Sequence, residues 1–124
     1  MDLLIDTHAL IWVVEDSPRM SLVAREALID PDNRLYISAV TAWEFADLRS
    51  RNRLPSIADF SVVMQRLAPT LLDLPASLWQ LATGLPNIHG DPADRMLIAH
   101  AIYADLTLVT ADATMQSYPV RSLW

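Results

Sequence analysis

The chain has no cysteine and no lysine. Without cysteine there is no disulfide, no thiolate nucleophile and no cysteine-bound zinc. Without lysine there is no P-loop lysine and no Schiff base, and all nine basic residues are arginine. Two glycines, Gly84 and Gly90, are too few for a glycine-rich phosphate loop. No G-x-S-x-G nucleophile turn occurs either. Positive charge is scarce: 15 acidic residues against nine basic ones leave a net charge of −6. That argues against a protein held to nucleic acid by bulk electrostatics, because phosphate contacts need Lys or Arg. It suits an enzyme whose acids are neutralised by metal ions, or a partner with a basic segment. No uncharged apolar run reaches the ~18 residues that a membrane span requires. Asp2 and Asp6 interrupt the first apolar stretch, and no basic region precedes it. A cytoplasmic protein without membrane association is the default expectation.

What is present is a chain of 124 residues, 52% hydrophobic and 19% charged. That length suits a single domain over residues 1–124 and buries about two-thirds of the unfolded surface. Short apolar runs alternate with helical patterns. Leu3 to Ile5 predicts a strand ending at Asp6, and Thr7 to about Glu15 a helix broken by Ser17-Pro18. Ser21 to Ile29 reads as a second helix, followed by a turn at residues 30–33. A strand is expected at Leu35–Ser38 and a helix from Thr41 to about Arg51. Ser56 to Leu67 reads as helical, with Ser56 and Asp59 as a cap pair. A weaker strand falls at Leu71–Leu74 and a short helix at Ala76–Thr83. Asp91-Pro92 opens a helix to about Ala104, with proline at its first position. Strands at Leu106–Val109 and Val120–Leu123 complete the pattern, with a turn of helix after Asp112. Alternation of this kind predicts βαβ units, a mostly parallel sheet covered on both faces, and ligand binding beyond the carboxyl ends of the strands.

The acids fall where such a sheet would gather them. Asp6 follows the first strand, Glu44 lies in the first turn of the helix after the second, and Asp112 follows the fourth. Asp94, behind Asp91, joins them if its helix starts at the same edge, which the sequence leaves open. Each acid alone has an ordinary explanation as a helix cap, Thr41 and Glu44 even forming a T-x-x-E box. The set is harder to explain so. Ser, Thr and Asn cap equally well, and two carboxylates ~4 Å apart repel by about 4 kcal/mol at an effective dielectric near 20. A hard divalent cation such as Mg²⁺ offsets that repulsion.

These residues resemble a known family. LLIDTHALIW is similar to the opening of PIN-domain proteins of the VapC toxin group. SAVTAWEFADL resembles that group's S-x-x-x-x-W-E helix, HGDPADRMLIAHA its H-x-D-P-x-D-R-x-L-I-A-x-A signature, and LVTAD its final T-x-D element. The resemblance runs in order along essentially the whole chain. It implies a three-layer α/β/α sandwich and an endoribonuclease dependent on Mg²⁺ or Mn²⁺ that cuts RNA. It also implies a neutralising antitoxin partner and a homodimer. The family's four acids fall on Asp6, Glu44, Asp94 and Asp112, as metal ligands and catalytic groups. Asp91 takes a supporting role in capping or behind the ligands. The family's aliphatic and basic run after W-E is here Phe45-Ala46-Asp47-Leu48-Arg49, so Asp47 adds negative charge near the expected RNA path.

Thr7 and Thr110 stand beside the acids, where each hydroxyl can orient a carboxylate or make an ordinary strand-end hydrogen bond. Arg49, Arg51 and Arg53 form the densest basic patch, suited to phosphates or to a helix C-terminus. Arg95 is expected in an ion pair. His100 is expected to be packed or solvated, and His89 to have a small chance of touching substrate. Trp12, Trp43 and Trp79 are expected in the core or an interface, and Trp124 exposed. Two other readings are weighed. A phospho-accepting receiver needs a lysine beside its acids, which is absent. A catalytically silent PIN-like module, kept as a binding partner of its antitoxin, is opposed by the presence of all four acids.

Overall fold

The structure is a computed structural model, and it describes residues 1–54 and 59–124. The expected pairing of Ser56 with Asp59 therefore lies partly outside the described residues. Within them, Asp59 caps a helix at Phe60–Leu67 (α4) by accepting from the Ser61 amide at 2.9 Å.

The other elements in chain order are β1 (Asp2–Ile5), α1 (Thr7–Glu15), α2 (Leu22–Ile29), β2 (Arg34–Ser38) and α3 (Ala39–Ser50). After α4 come β3 (Thr70–Leu72), α5 (Leu78–Thr83), α6 (Pro92–Tyr103), β4 (Thr107–Val109), α7 (Ala113–Gln116) and β5 (Ser122–Leu123). The strands form one sheet in the order β3-β2-β1-β4-β5, and every pairing is parallel.

Strand alternation divides the core into two layers, because successive side chains point to opposite faces. Leu3, Ile5, Ile37 and Val109 pack with Leu10, Val14, Phe45 and Val63, so α1, α3 and α4 cover one face. Leu4 and Leu108 pack with Leu78, Leu97, Ile98 and Met115, so α5, α6 and α7 cover the other. Both faces being covered, the strands carry near-continuous apolar runs rather than a polar alternation. This is the expected α/β/α sandwich.

The chain winds from β1 outward to β3, then crosses back to lay β4 on the opposite side of β1. The crevice beyond the carboxyl ends of β1 and β4 lies at this reversal. Such a crevice is the usual ligand site of an open parallel sheet.

Three local expectations change. α3 starts at Ala39, two residues before Thr41, because the Ser38 hydroxyl accepts from the Val40 amide and caps the helix. Thr41 is inside the helix and buried, and its hydroxyl donates to the Ile5 carbonyl at 3.3 Å. Glu44 is therefore in the second turn and caps nothing. Trp43 and Trp79 are 62% and 57% exposed, which excludes the core and leaves the interface of the two expected places. Trp124, by contrast, is half-buried and packs edge-on against Trp12 at 5.7 Å.

Candidate active site

Asp6 leaves β1 and caps α1. Its Oδ1 accepts from the Thr7 amide at 2.7 Å and its Oδ2 from the Thr110 hydroxyl at 2.9 Å. Thr110 leaves β4, and its oxygen also accepts from the Asp112 amide at 3.1 Å. Asp112 in turn caps α7 through the Thr114 amide. On the other side of Asp6, the Thr7 hydroxyl donates to Glu44 Oε1 at 2.9 Å. Glu44, Thr7, Asp6, Thr110 and Asp112 thus form one connected chain across β1, α3 and β4. Both threonines hold a carboxylate or its neighbour in place, beyond ordinary strand-end bonding.

α6 starts at the same edge. Asp91 caps it, accepting from the Asp94 amide at 3.0 Å, and Asp94 projects from its first turn. Asp6, Glu44, Asp91, Asp94 and Asp112 line one cleft of about 410 Å³, with His8 and Trp12 on its wall. Asp94 lines the cleft with the other acids because α6 starts at their edge of the sheet. Arg49, Arg51 and Arg53 line neither this cleft nor its neighbour, and sit at the C-terminal end of α3. There Arg49 pairs with Asp59 at 3.4 Å and Arg51 with Asp47 at 3.2 Å.

Three of the acids resist ionisation. Burial raises the pKa of Asp6, and the Asp112 charge adds to it, against the opposing effect of the Thr110 hydrogen bond. Burial likewise raises Glu44, with Asp6 and Asp91 contributing. Asp94 is pushed up to about 6 by burial first and then by Asp91, Asp6 and Glu44. Among the described residues no three His, Asp or Glu side chains are close enough to hold a metal ion as they stand. The donor set itself is hard oxygen throughout, with free lone pairs on every carboxylate.

A pH dependence follows. Asp94 takes up its proton near pH 6 when folded and near 3.8 when unfolded, so its charge opposes folding at neutral pH by at most about 3 kcal/mol. That opposition fades as pH falls through about 6. Asp6 and Glu44 act in the same direction. His100 opposes them, because burial lowers its pKa and the unfolded chain takes up that proton first. In chelator, the melting temperature is expected to rise between pH 7.5 and 5, and Asp94→Asn to flatten the rise. A wild-type slope of the opposite sign, unchanged by Asp94→Asn, would refute it.

Two residues were underread in the sequence. Among the described residues Arg95 forms no carboxylate pair: its guanidinium donates to the carbonyls of Ala82, Leu85, Pro86 and His89 and to the Tyr118 hydroxyl. It pins the segment between α5 and α6 from which Asp91 emerges. His100 is buried, with Nδ1 2.8 Å from the Ser38 hydroxyl, and so locks α6 to the cap of α3. No periodicity signals either role, since both partners are remote backbone or side-chain oxygens.

A parallel α/β sandwich with a carboxylate cleft at its topological reversal puts hard oxygen donors where an open sheet binds its ligands. Residues 3–120 match the PIN domain family, and the chain belongs to that family. It is 30% identical over 118 residues to Ribonuclease VapC22 of Mycobacterium tuberculosis (strain ATCC 25618 / H37Rv), across 93% of this chain and 90% of that protein. Its fold is similar to VapBC2 from Rickettsia felis, solved bound to a DNA fragment from their promoter. That match has a TM-score of 0.78 at 16% identity, over 99% of this chain and 98% of the other. DNA-bound VapBC from Salmonella typhimurium matches with a TM-score of 0.73 at 19% identity, over 99% and 97%. Mycobacterium tuberculosis VapC20, a sarcin-ricin loop cleaving toxin, matches with 0.65 at 15% identity, over 93% of each chain. Among the described residues no helix is long and apolar enough to cross a membrane.

Proposed function

We propose that this chain is the endoribonuclease toxin of a toxin–antitoxin pair. It would hydrolyse RNA phosphodiesters with Mg²⁺ or Mn²⁺ held by Asp6, Glu44, Asp94 and Asp112. The observation that carries the reading is the convergence of these acids at the sheet reversal, three of them joined through Thr7 and Thr110. Kinship with a VapC ribonuclease over nearly the whole chain supports the substrate class.

When bound, a divalent ion supplies Lewis acidity toward the phosphodiester and the attacking water. The protein's own groups do the rest. Asp6, held on both oxygens, presents a fixed carboxylate between β1 and β4. Glu44 and Asp94 have raised pKa values, which suits proton acceptance near neutral pH as well as ligation. Asp112 closes the far side. Asp91 supports Asp94 by fixing the helix start. RNA running along α3 would meet Arg49, Arg51 and Arg53 at its far end, where they can contact phosphates. An antitoxin with a basic segment suits the −6 charge, and a homodimer is the expected free form.

The test uses purified protein, free of partner, with total RNA and Mg²⁺ or Mn²⁺, against matched samples in EDTA. Cleavage is expected only with metal, together with a metal-dependent rise in melting temperature through linkage. Absence of both would replace the nuclease with a silent binding module.

A further inference from the structure

His89 precedes α6, and both of its ring nitrogens are constrained. Nδ1 lies 3.1 Å from the Asp91 amide. A backbone N–H only donates, so Nδ1 accepts and the neutral ring carries its hydrogen on Nε2. Nε2 is buried and, among the described residues, is the one buried side-chain nitrogen or oxygen with no hydrogen-bond partner. A donor left so costs about 1–3 kcal/mol, and native proteins keep few. Its polar neighbour is Asp94 Oδ2 at 3.7 Å. That is longer than the ~2.9 Å of an N–H···O bond, but a small torsional adjustment of Asp94 spans the difference.

The ring cannot turn away. It stands edge-on to Tyr118, with centroids 5.6 Å apart and planes at 71°. The His89 amide donates to the Tyr118 hydroxyl at 3.0 Å, and the His89 carbonyl is held by Arg95 and Tyr118. The backbone, the tautomer and the ring plane are thus each set by a separate contact. All direct one N–H toward one oxygen of Asp94.

We propose that His89 is a positioning residue for Asp94: its Nε2–H takes Oδ2 and leaves Oδ1 turned to the cleft for a divalent cation. This rests on the carboxylate–metal reading above. Groups that orient a ligand in this way change metal affinity by about 10–100-fold when lost.

Two isosteres separate positioning from mere loop support. His89→Asn places an oxygen where Nδ1 was, preserving the Asp91 contact and removing Nε2. His89→Gln places an amide N–H where Nε2 was and loses the Nδ1 contact. The probe is Mn²⁺ alone, by titration of the metal-free protein, with melting temperature and the ¹⁵N shifts of the ring as further readouts. The shifts are expected to place the hydrogen on Nε2. His89→Asn is expected to weaken Mn²⁺ binding about tenfold or more at an unchanged metal-free melting temperature, and His89→Gln to recover most of it. Wild-type affinity in His89→Asn overturns the proposal and leaves the metal site standing. So does a loss of affinity in both variants that follows their loss of stability, or a ring hydrogen on Nδ1. A wild type that binds no Mn²⁺ overturns the carboxylate–metal reading, and this proposal with it.

Discussion

Asp6→Asn is expected to lower kcat/KM for RNA cleavage by roughly 10³-fold, because a metal supplies several kcal/mol to such a barrier and each 1.36 kcal/mol is tenfold. The same substitution is expected to raise the melting temperature of the metal-free protein. Asp6 is 5% exposed and its charge is disfavoured by burial and by Asp112. Asn keeps an oxygen for the Thr7 amide and fills the same volume without that charge. A buried carboxylate that both costs stability and is needed for activity is the signature of a functional site. Single-turnover cleavage in Mn²⁺ and thermal unfolding in EDTA check the two halves. Activity within a few-fold of wild type would remove Asp6 from the reaction. A lower melting temperature in EDTA would instead make it a structural cap.

Arg95→Ala is expected to cost about 2–4 kcal/mol of stability, because a buried carbonyl that loses its donor costs about 1–3 kcal/mol and water reaches part of this set. On a chain of this size that lowers the melting temperature by about 10 °C. Ala82, Leu85, Pro86 and His89 would all lose their guanidinium donor, and the face of Tyr118 its cation at 6.0 Å. Arg95→Lys is expected to recover little, because a single ammonium cannot reproduce a planar fork that serves both Ala82 and Pro86 at 2.9 Å. Activity should fall beyond what unfolding explains, since the pinned segment delivers Asp91 to the cleft and His89 to Asp94. A variant within about 1 kcal/mol of wild type would mean that water replaces the arginine at these carbonyls.

Much of the fold was legible because a parallel sheet covered on both faces writes itself as short apolar runs. Leu3–Ile5, Leu35–Ser38 and the run to Val109 each became a strand within a residue or two. Asp6, Glu44 and Asp112 could be placed because strand ends and helix starts share one edge of such a sheet. Asp94 could not, since the direction in which α6 enters depends on the Arg95 and His89 contacts made by the loop before it. The T-x-x-E pattern at Thr41–Glu44 misled for a related reason. Ser38 offers an equally good cap, and Thr41 was claimed by the Ile5 carbonyl of another strand. Local pattern ranks caps by chemistry, while tertiary partners decide which hydroxyl is free to cap. Trp43 and Trp79 were expected in the core or an interface, and their place on the outer side of their helices excludes only the core.

β1 precedes the other four strands of its sheet in the chain, yet its second edge is filled only by the fourth. Its pairing with β2 needs only the first 38 residues, but its other edge stays open until Thr107–Val109 have been synthesised. The hydroxyl that holds Asp6 Oδ2 lies 104 positions further along the chain. Synthesis therefore assembles the cleft only after Thr110 and Asp112 have been added. A product that stops short of that point carries Asp6 and Glu44 on an unfinished sheet, with neither Thr110 nor Asp112 to complete them. The order of the strands alone thus keeps the carboxylate cleft incomplete in any chain that lacks β4 and the residues after it.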